Sequence, residues 1–267
     1  MKSLFLFGIG CLLIILNPIV TTAQSKELKF SGYTWKISDG NATMNYTNLW
    51  KYDKKMQFVD AEGKLHLKLK KIFGVWYCSQ IQLDHPLGLG KYEFCIDNQL
   101  TNLDKRTALS IFLNDDQNND GLIEASKSEA EINITFSRWN KSNNANCWYI
   151  VKPLPTGCIG KCPPDNTCGG MQCYSLNNNA AKIISSEINW ISRSSVVLTS
   201  YLGRLVNAGK INYNLAKKQF KNVNLPKPGI EKLTISVWFF GGNQPEICQK
   251  GEEMEVIISQ FRFTPLK

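Results

Sequence analysis

Histidine is nearly missing from this chain: two in 267 residues. They do not form a set, since His66 sits on the polar side of a leucine/lysine alternation and His85 precedes Pro86 in a turn. That scarcity leaves no Ser-His-Asp or Cys-His arrangement for nucleophilic catalysis, and no glycine-rich phosphate loop is present. Internal repeats and dividing linkers are absent as well. Helical periodicity is confined to one short stretch, "NYNLAKKQF" (212–220), which predicts a short helix. Acid is the scarcer charge, with 22 Asp+Glu against 31 Lys+Arg and a net charge of +9. No basic run is interleaved with a nucleic-acid motif, so nucleic acid is not an expected partner. The excess reads as solubility charge, compatible with acidic glycans or a cell surface.

The one long apolar run, residues 4–16, is shorter than the ~20 residues a membrane span needs, and Asn17-Pro18 breaks it. With Lys2 before it and Thr21-Thr22-Ala23 after it, residues 1–23 read as a secretory signal peptide. The chain is therefore expected to be secreted, to the exterior or the cell envelope, with no membrane span after signal removal. Cleavage leaves about +8 and roughly 244 residues, enough for one domain with a real core. Cys11 leaves with the signal, and Cys78, Cys95, Cys147, Cys158, Cys162, Cys168, Cys173 and Cys248 remain. An even count in an exported chain predicts disulfides. Four of the eight crowd into "CIGKCPPDNTCGGMQC" (158–173), whose spacing does not suit zinc pairs and predicts a doubly stapled loop.

What the chain does have is short alternating segments with turn residues between them. "KLHLKLK" (64–70) sets three leucines on one face and Lys/His on the other. "GVWYCSQIQL", "GLGKYEFCI", "ALSIFL", "EINITFSRW", "CWYIVKP", "SSVVLTSYLG", "LTISVWFF" and "EVIISQFRF" follow. Residues 24–267 are thus expected to form one all-β domain, a two-sheet antiparallel sandwich of the jelly-roll kind. A long polar loop is expected over 114–131.

On a strand, Glu131, Asn133 and Thr135 share one face, opposite Ile132, Ile134 and Phe136. Two glutamates four residues apart can lean together over a short acid between them, toward the ~5.5 Å carboxyl separation of a retaining glycosidase. The sequence here resembles glycoside hydrolase family 16, in particular a branch whose active strand reads Glu-Ile-Asp-Ile-Glu-Phe-Ser-Arg-Trp where this chain has "EINITFSRW". "FSGYTWKI", "VDAEGKLHLKL", "GVWYCSQI" and "LGLGKYEF" resemble the family's N-terminal strands. "YIVKP", "EINW", "VVLTSYLG", "LTISVWFFGG" and "EVIISQFRF" resemble its C-terminal ones.

The resemblance implies a concanavalin A-like jelly roll acting on β-linked glucans or galactans, with the Glu131 strand crossing a concave face. It also implies that Glu131 keeps the nucleophile's place, that Asn133 replaces the supporting acid, and that Thr135 replaces the acid/base. A threonine hydroxyl cannot protonate a glycosidic oxygen at neutral pH, and losing general acid–base help costs roughly 100- to 10,000-fold. The expected function is glycan binding with impaired or no catalysis, as a monomer, with a polysaccharide or cell-surface glycan as partner. One alternative is an active hydrolase that takes its acid from the 114–131 loop. Another is an interaction protein acting through the disulfide loop.

Trp139 has the parity of Glu131, which makes it a candidate sugar platform if the strand stays regular, and Trp76 is a second. Trp190 and Trp238 lie in apolar strands and read as core. "DQNNDGLIE" (116–124) places Asp116, Asn118, Asp120 and Gly121 as in a calcium loop, but the twelfth position is Lys127 rather than Glu. No organic cofactor is expected, and a structural Ca2+ at Asp116, Asn118 and Asp120 is the only cation site suggested. Asn41, Asn45, Asn133 and Asn140 begin glycosylation sequons, with Asn133 a poor acceptor at mid-strand.

Overall fold

The computed structural model describes residues 26–41, 48–98, 100–115, 130–154, 170–176, 183–204, 214–242 and 253–267. The expected leader, the stretch holding Asp116, Asn118 and Asp120, and most of the cysteine-rich loop lie outside the described residues. The chain runs through β1 (Glu27–Phe30), β2 (Tyr33–Ile37), β3 (Gly40–Asn41), β4 (Leu49–Trp50), β5 (Gln57–Val59) and β6 (Leu65–Ile72). It continues with β7 (Val75–Tyr77), β8 (Ser79–Leu83), β9 (Gly90–Ile96), β10 (Thr107–Asp115), β11 (Glu131–Ser137) and β12 (Cys147–Lys152). β13 (Met171–Tyr174), β14 (Ile184–Ser192), β15 (Ser195–Leu202), β16 (Asn214–Lys221), β17 (Glu231–Phe239) and β18 (Met254–Pro265) complete it.

Two antiparallel sheets result, in the orders β1-β2-β8-β17-β10-β11-β12-β13 and β16-β15-β14-β9-β18-β6-β5. Alternation decides what lies between them. Leu65, Leu67 and Leu69 are fully buried while His66 and Lys68 point outward. Ile132, Ile134 and Phe136 of β11 enter the same core as Leu109, Ile111 and Leu113 of β10 and Tyr149 and Val151 of β12. Burying each such side chain contributes about 1.5–3 kcal/mol, and this packing is the expected jelly-roll sandwich. Gly90 is needed where β9 meets β18, since a Cβ there would lie 2.5 Å from the Thr264 carbonyl oxygen.

Three expectations change. Residues 214–221 form a strand paired along β15, not a helix. Ala216 and Phe220 are the buried positions, and a spacing of four fits either period; the ladder with β15 decides between them. Asn114 and Asp115 belong to β10 rather than to a loop, because β10 pairs through them with β17. Cys78, Cys95 and Cys147 are buried thiols rather than disulfide sulfurs. Cys147 packs between the sheets, where burial pushes its thiol up to about 12, against the opposing pull of Ser200 and Tyr149. Cys173 is disulfide-bonded, with its partner outside the described residues.

The second sheet carries a carboxyl that burial disfavours. Glu187 of β14 stands opposite Glu93 of β9 and is largely covered. Desolvation raises its pKa first, and Lys91, 3.6 Å away, pulls the other way. Arg262 is engaged by Glu93 through bonds of 2.6 and 2.9 Å. The folded state therefore holds the Glu187 proton to higher pH than the unfolded chain does, and stability falls as pH rises through that raised pKa. Glu187→Gln should melt above wild type at pH 7, with the gap closing near pH 4. Melting curves at the two pH values check this, and a gap that is constant or reversed would contradict it.

Candidate functional site

The outward face of the first sheet collects one parity from each strand. β11 contributes Glu131, Asn133, Thr135 and Ser137. Register places Asn114, Phe112 and Ser110 of β10 beside the first three, and Lys152, Ile150 and Trp148 of β12 on their other side. Beyond β10, β17 adds Lys232, Thr234, Ser236 and Trp238, and β8 adds Gln80 and Gln82. Directly opposite side chains lie ~4.5–5.5 Å apart at Cβ, so neighbours in this band touch.

A single hydrogen-bond line crosses the band. Lys152 Nζ donates to Glu131 Oε2 at 2.8 Å, and Asn133 Nδ2 donates to Glu131 Oε1 at 2.9 Å. Thr135 Oγ1 donates to Asn133 Oδ1 at 2.7 Å. Ser110 Oγ lies 2.8 Å from Thr135 Oγ1, and Trp238 Nε1 donates to Ser110 Oγ at 3.1 Å. Chemistry sets the proton directions. A carboxylate only accepts, so the Asn133 amide turns its NH2 to Glu131 and its oxygen to Thr135. Thr135 uses its one proton on that oxygen, which leaves Ser110 as donor to Thr135. The indole can only donate. Every proton from Trp238 onward thus points toward Glu131, and the Lys152 ammonium closes the far end.

Glu131, Asn133 and Thr135 are all buried, and Thr135 has no exposed surface. Both Glu131 oxygens are engaged, and no carboxyl stands four residues along the strand. Asp115 cannot supply one, because it has the opposite parity to Asn114 and faces away from Glu131. Asp84, which follows β8 and pairs with Lys36 at 2.6 Å, is three strands from β11. That separation is roughly 14 Å, beyond the ~6.5–9.5 Å of an inverting pair.

At the Trp238 end an aromatic cluster packs on the same face. Trp139 lies 6.0 Å from Trp148, 6.0 Å from Trp238 and 5.2 Å from Phe240, all edge-on. Trp139 and Asn140 both have positive φ, so the strand's alternation stops before them. Trp139 is buried in the cluster, whereas Trp238 and Phe240 keep exposed surface. Trp76 is not brought to this face: it enters the core on the other side of the sheet, edge-on to Phe239 at 6.2 Å. Trp190 is fully buried. Ser110, Lys152 and Trp238 are the members of the line that sequence reasoning missed. Among the described residues no group of three or more His, Cys, Asp or Glu side chains could hold a metal ion, and no helix is long and apolar enough to cross a membrane.

No protein-family model and no curated protein matches the sequence. Solved structures do match in fold. One is a β-glucanase of Bacillus licheniformis, 14% identical, with 91% of this chain and 97% of that chain covered and a TM-score of 0.58. Another is an immunostimulatory antigen and pseudo β-1,3-glucanase of Mycobacterium tuberculosis, 11% identical, with 87% and 91% covered and a TM-score of 0.57. A third is a glycoside hydrolase family 16 endo-glucanase from Bacteroides ovatus, 12% identical, with 86% and 94% covered and a TM-score of 0.56.

Proposed function

We propose that this glycoside hydrolase family 16-like jelly roll is a secreted, monomeric glycan-binding protein that holds a β-linked polysaccharide or cell-surface glycan without turning it over. The observation that carries the reading is the hydrogen-bond line. In a retaining glycosidase, one carboxylate attacks while a second carboxyl, ~5.5 Å away, gives and takes a proton. Here the nucleophile's place is kept by Glu131, but its two oxygens are held by Asn133 and Lys152. The acid/base position is Thr135, a buried hydroxyl that donates to Asn133.

The rest of the face suits a sugar chain. Gln80 and Gln82 offer half-buried amides over the buried Thr234 and Ser236, and Trp238 and Phe240 offer aromatic surface at one end. Apolar sugar faces stack on such rings while hydroxyls bond to the polar band. That the same fold carries a pseudo-glucanase in Mycobacterium tuberculosis supports a non-hydrolytic use.

An active hydrolase drawing its acid from the 114–131 segment is the second reading, weakened by the outward parity of Asn114 and the inward parity of Asp115. The test is one purified sample on laminarin, lichenan, agarose and carrageenan. The proposal expects retention on at least one of them with no reducing-sugar release. Release that disappears in Glu131→Gln would make the protein an enzyme. Neither retention nor release would favour an interaction protein working through the 158–173 loop.

A further inference from the structure

The hairpin joining β6 to β7 ends in a feature that folding alone does not explain. Ile72 pairs with Val75, leaving Phe73 and Gly74 as a two-residue loop. Both have positive φ, 49° and 84°, as a type I′ turn requires. Asn, Asp or Gly suit the first of these positions; a bulky aromatic there is strained. The strain does not serve packing, because Phe73 is 100% exposed. Its neighbour Val75 is 42% exposed and Ile72 half-buried. The tip is therefore four successive residues, Ile72 to Val75, without one polar side chain.

Polarity returns one step behind. Tyr77 lies two residues back along β7, ~6.6 Å, and its Cα partner across the hairpin is Lys70. Lys51 Nζ sits 5.2 Å from the Tyr77 ring centroid. Lys71 is exposed beside the tip and has no ion pair among the described residues. Lys70 is faced by Glu253 at 3.4 Å, which also stands 4.0 Å from Lys68. An apolar point backed by a tyrosine and lysines is the layering of an element that rests in a lipid interface, where insertion reaches ~5–10 Å. A sugar would find no hydroxyl or amide at the tip to bond, which disfavours a second glycan site.

We infer that the Phe73 hairpin tip is a membrane-surface contact that inserts Phe73, with Ile72 and Val75, into the interface of an anionic lipid layer. The basic groups behind the tip supply attraction to the headgroups, so binding weakens with salt. It is a contact that lies on a membrane and spans nothing.

The test is co-sedimentation with vesicles of equimolar phosphatidylglycerol and phosphatidylcholine at low salt, beside vesicles of phosphatidylcholine alone. Wild type should favour the anionic vesicles. Phe73→Asn, which suits the turn, should lose about tenfold or more in partition while melting at or above wild type and keeping its glycan binding. Lys71→Glu should weaken binding in the same direction. Vesicle binding unchanged in Phe73→Asn would overturn the inference. So would a wild type that ignores vesicles but forms dimers abolished by Phe73→Asn, or Phe73-dependent retention on insoluble β-glucan without vesicle binding.

Discussion

Asn133→Asp combined with Thr135→Glu should raise reducing-sugar release from a β-glucan at least ~100-fold over the wild-type level. The change writes Glu-x-Asp-x-Glu on the outward face of β11, with Glu131 and residue 135 on one side of the strand. The new aspartate at 133 would stand between them. Thr135→Glu alone should do far less, because groups that act as a unit do not contribute separately. A bell-shaped pH profile in the double variant, absent from the wild type, would show two carboxyl groups sharing the work. Hydrolysis by the wild type at the double variant's rate would mean that the acid/base lies elsewhere.

Thr135→Val should be the most damaging single isosteric change, lowering stability by about 2–4 kcal/mol. Shape and volume are kept, so packing is not the cause. The valine leaves the Ser110 hydroxyl without its acceptor and the Asn133 carbonyl without its donor, both buried. Each orphaned group costs about 1–3 kcal/mol. For a domain of this size the melting temperature should fall by roughly 5–15 °C. Thr135→Ser, which keeps the hydroxyl, should recover most of the loss. A Thr135→Val variant that melts with the wild type would mean that the line does not support the strand.

The two-period pattern was enough to place most strands, and the one-sided line of Glu131, Asn133 and Thr135 follows from parity within one strand. What parity cannot supply is register between strands distant in the chain. Lys152 reaches Glu131 from 21 residues away and Trp238 reaches Ser110 from 128. Only the ladders β11–β12 and β10–β17 bring them together. Trp238 reads as core because its neighbours Val237 and Phe239 are apolar, yet those neighbours face inward and Trp238 faces out.

Trp139 shows the reverse limit. Its parity with Glu131 holds only while the strand continues, and β11 ends at Ser137. Cys78, Cys95 and Cys147 depart from the disulfide expectation for a different reason. An even count constrains pairing only when every cysteine is near another, whereas Cys147 lies beside Ser200 and Tyr149 in a packed interior. Ala216 and Phe220 fit a helix and a strand equally, so the choice rests on β15, which no local pattern reveals.

If the outward face of the first sheet holds a glycan and does not cut it, one NMR titration reads both halves. Trp238 Nε1–H ends the line at the exposed edge of the aromatic cluster, so its resonance reports on a sugar docked there. Adding a β-glucan oligosaccharide should shift that resonance saturably, while the anomeric signals of the sugar stay those of the intact chain. New anomeric signals from shorter products, or a Trp238 resonance that does not move, would contradict non-hydrolytic glycan binding at this face.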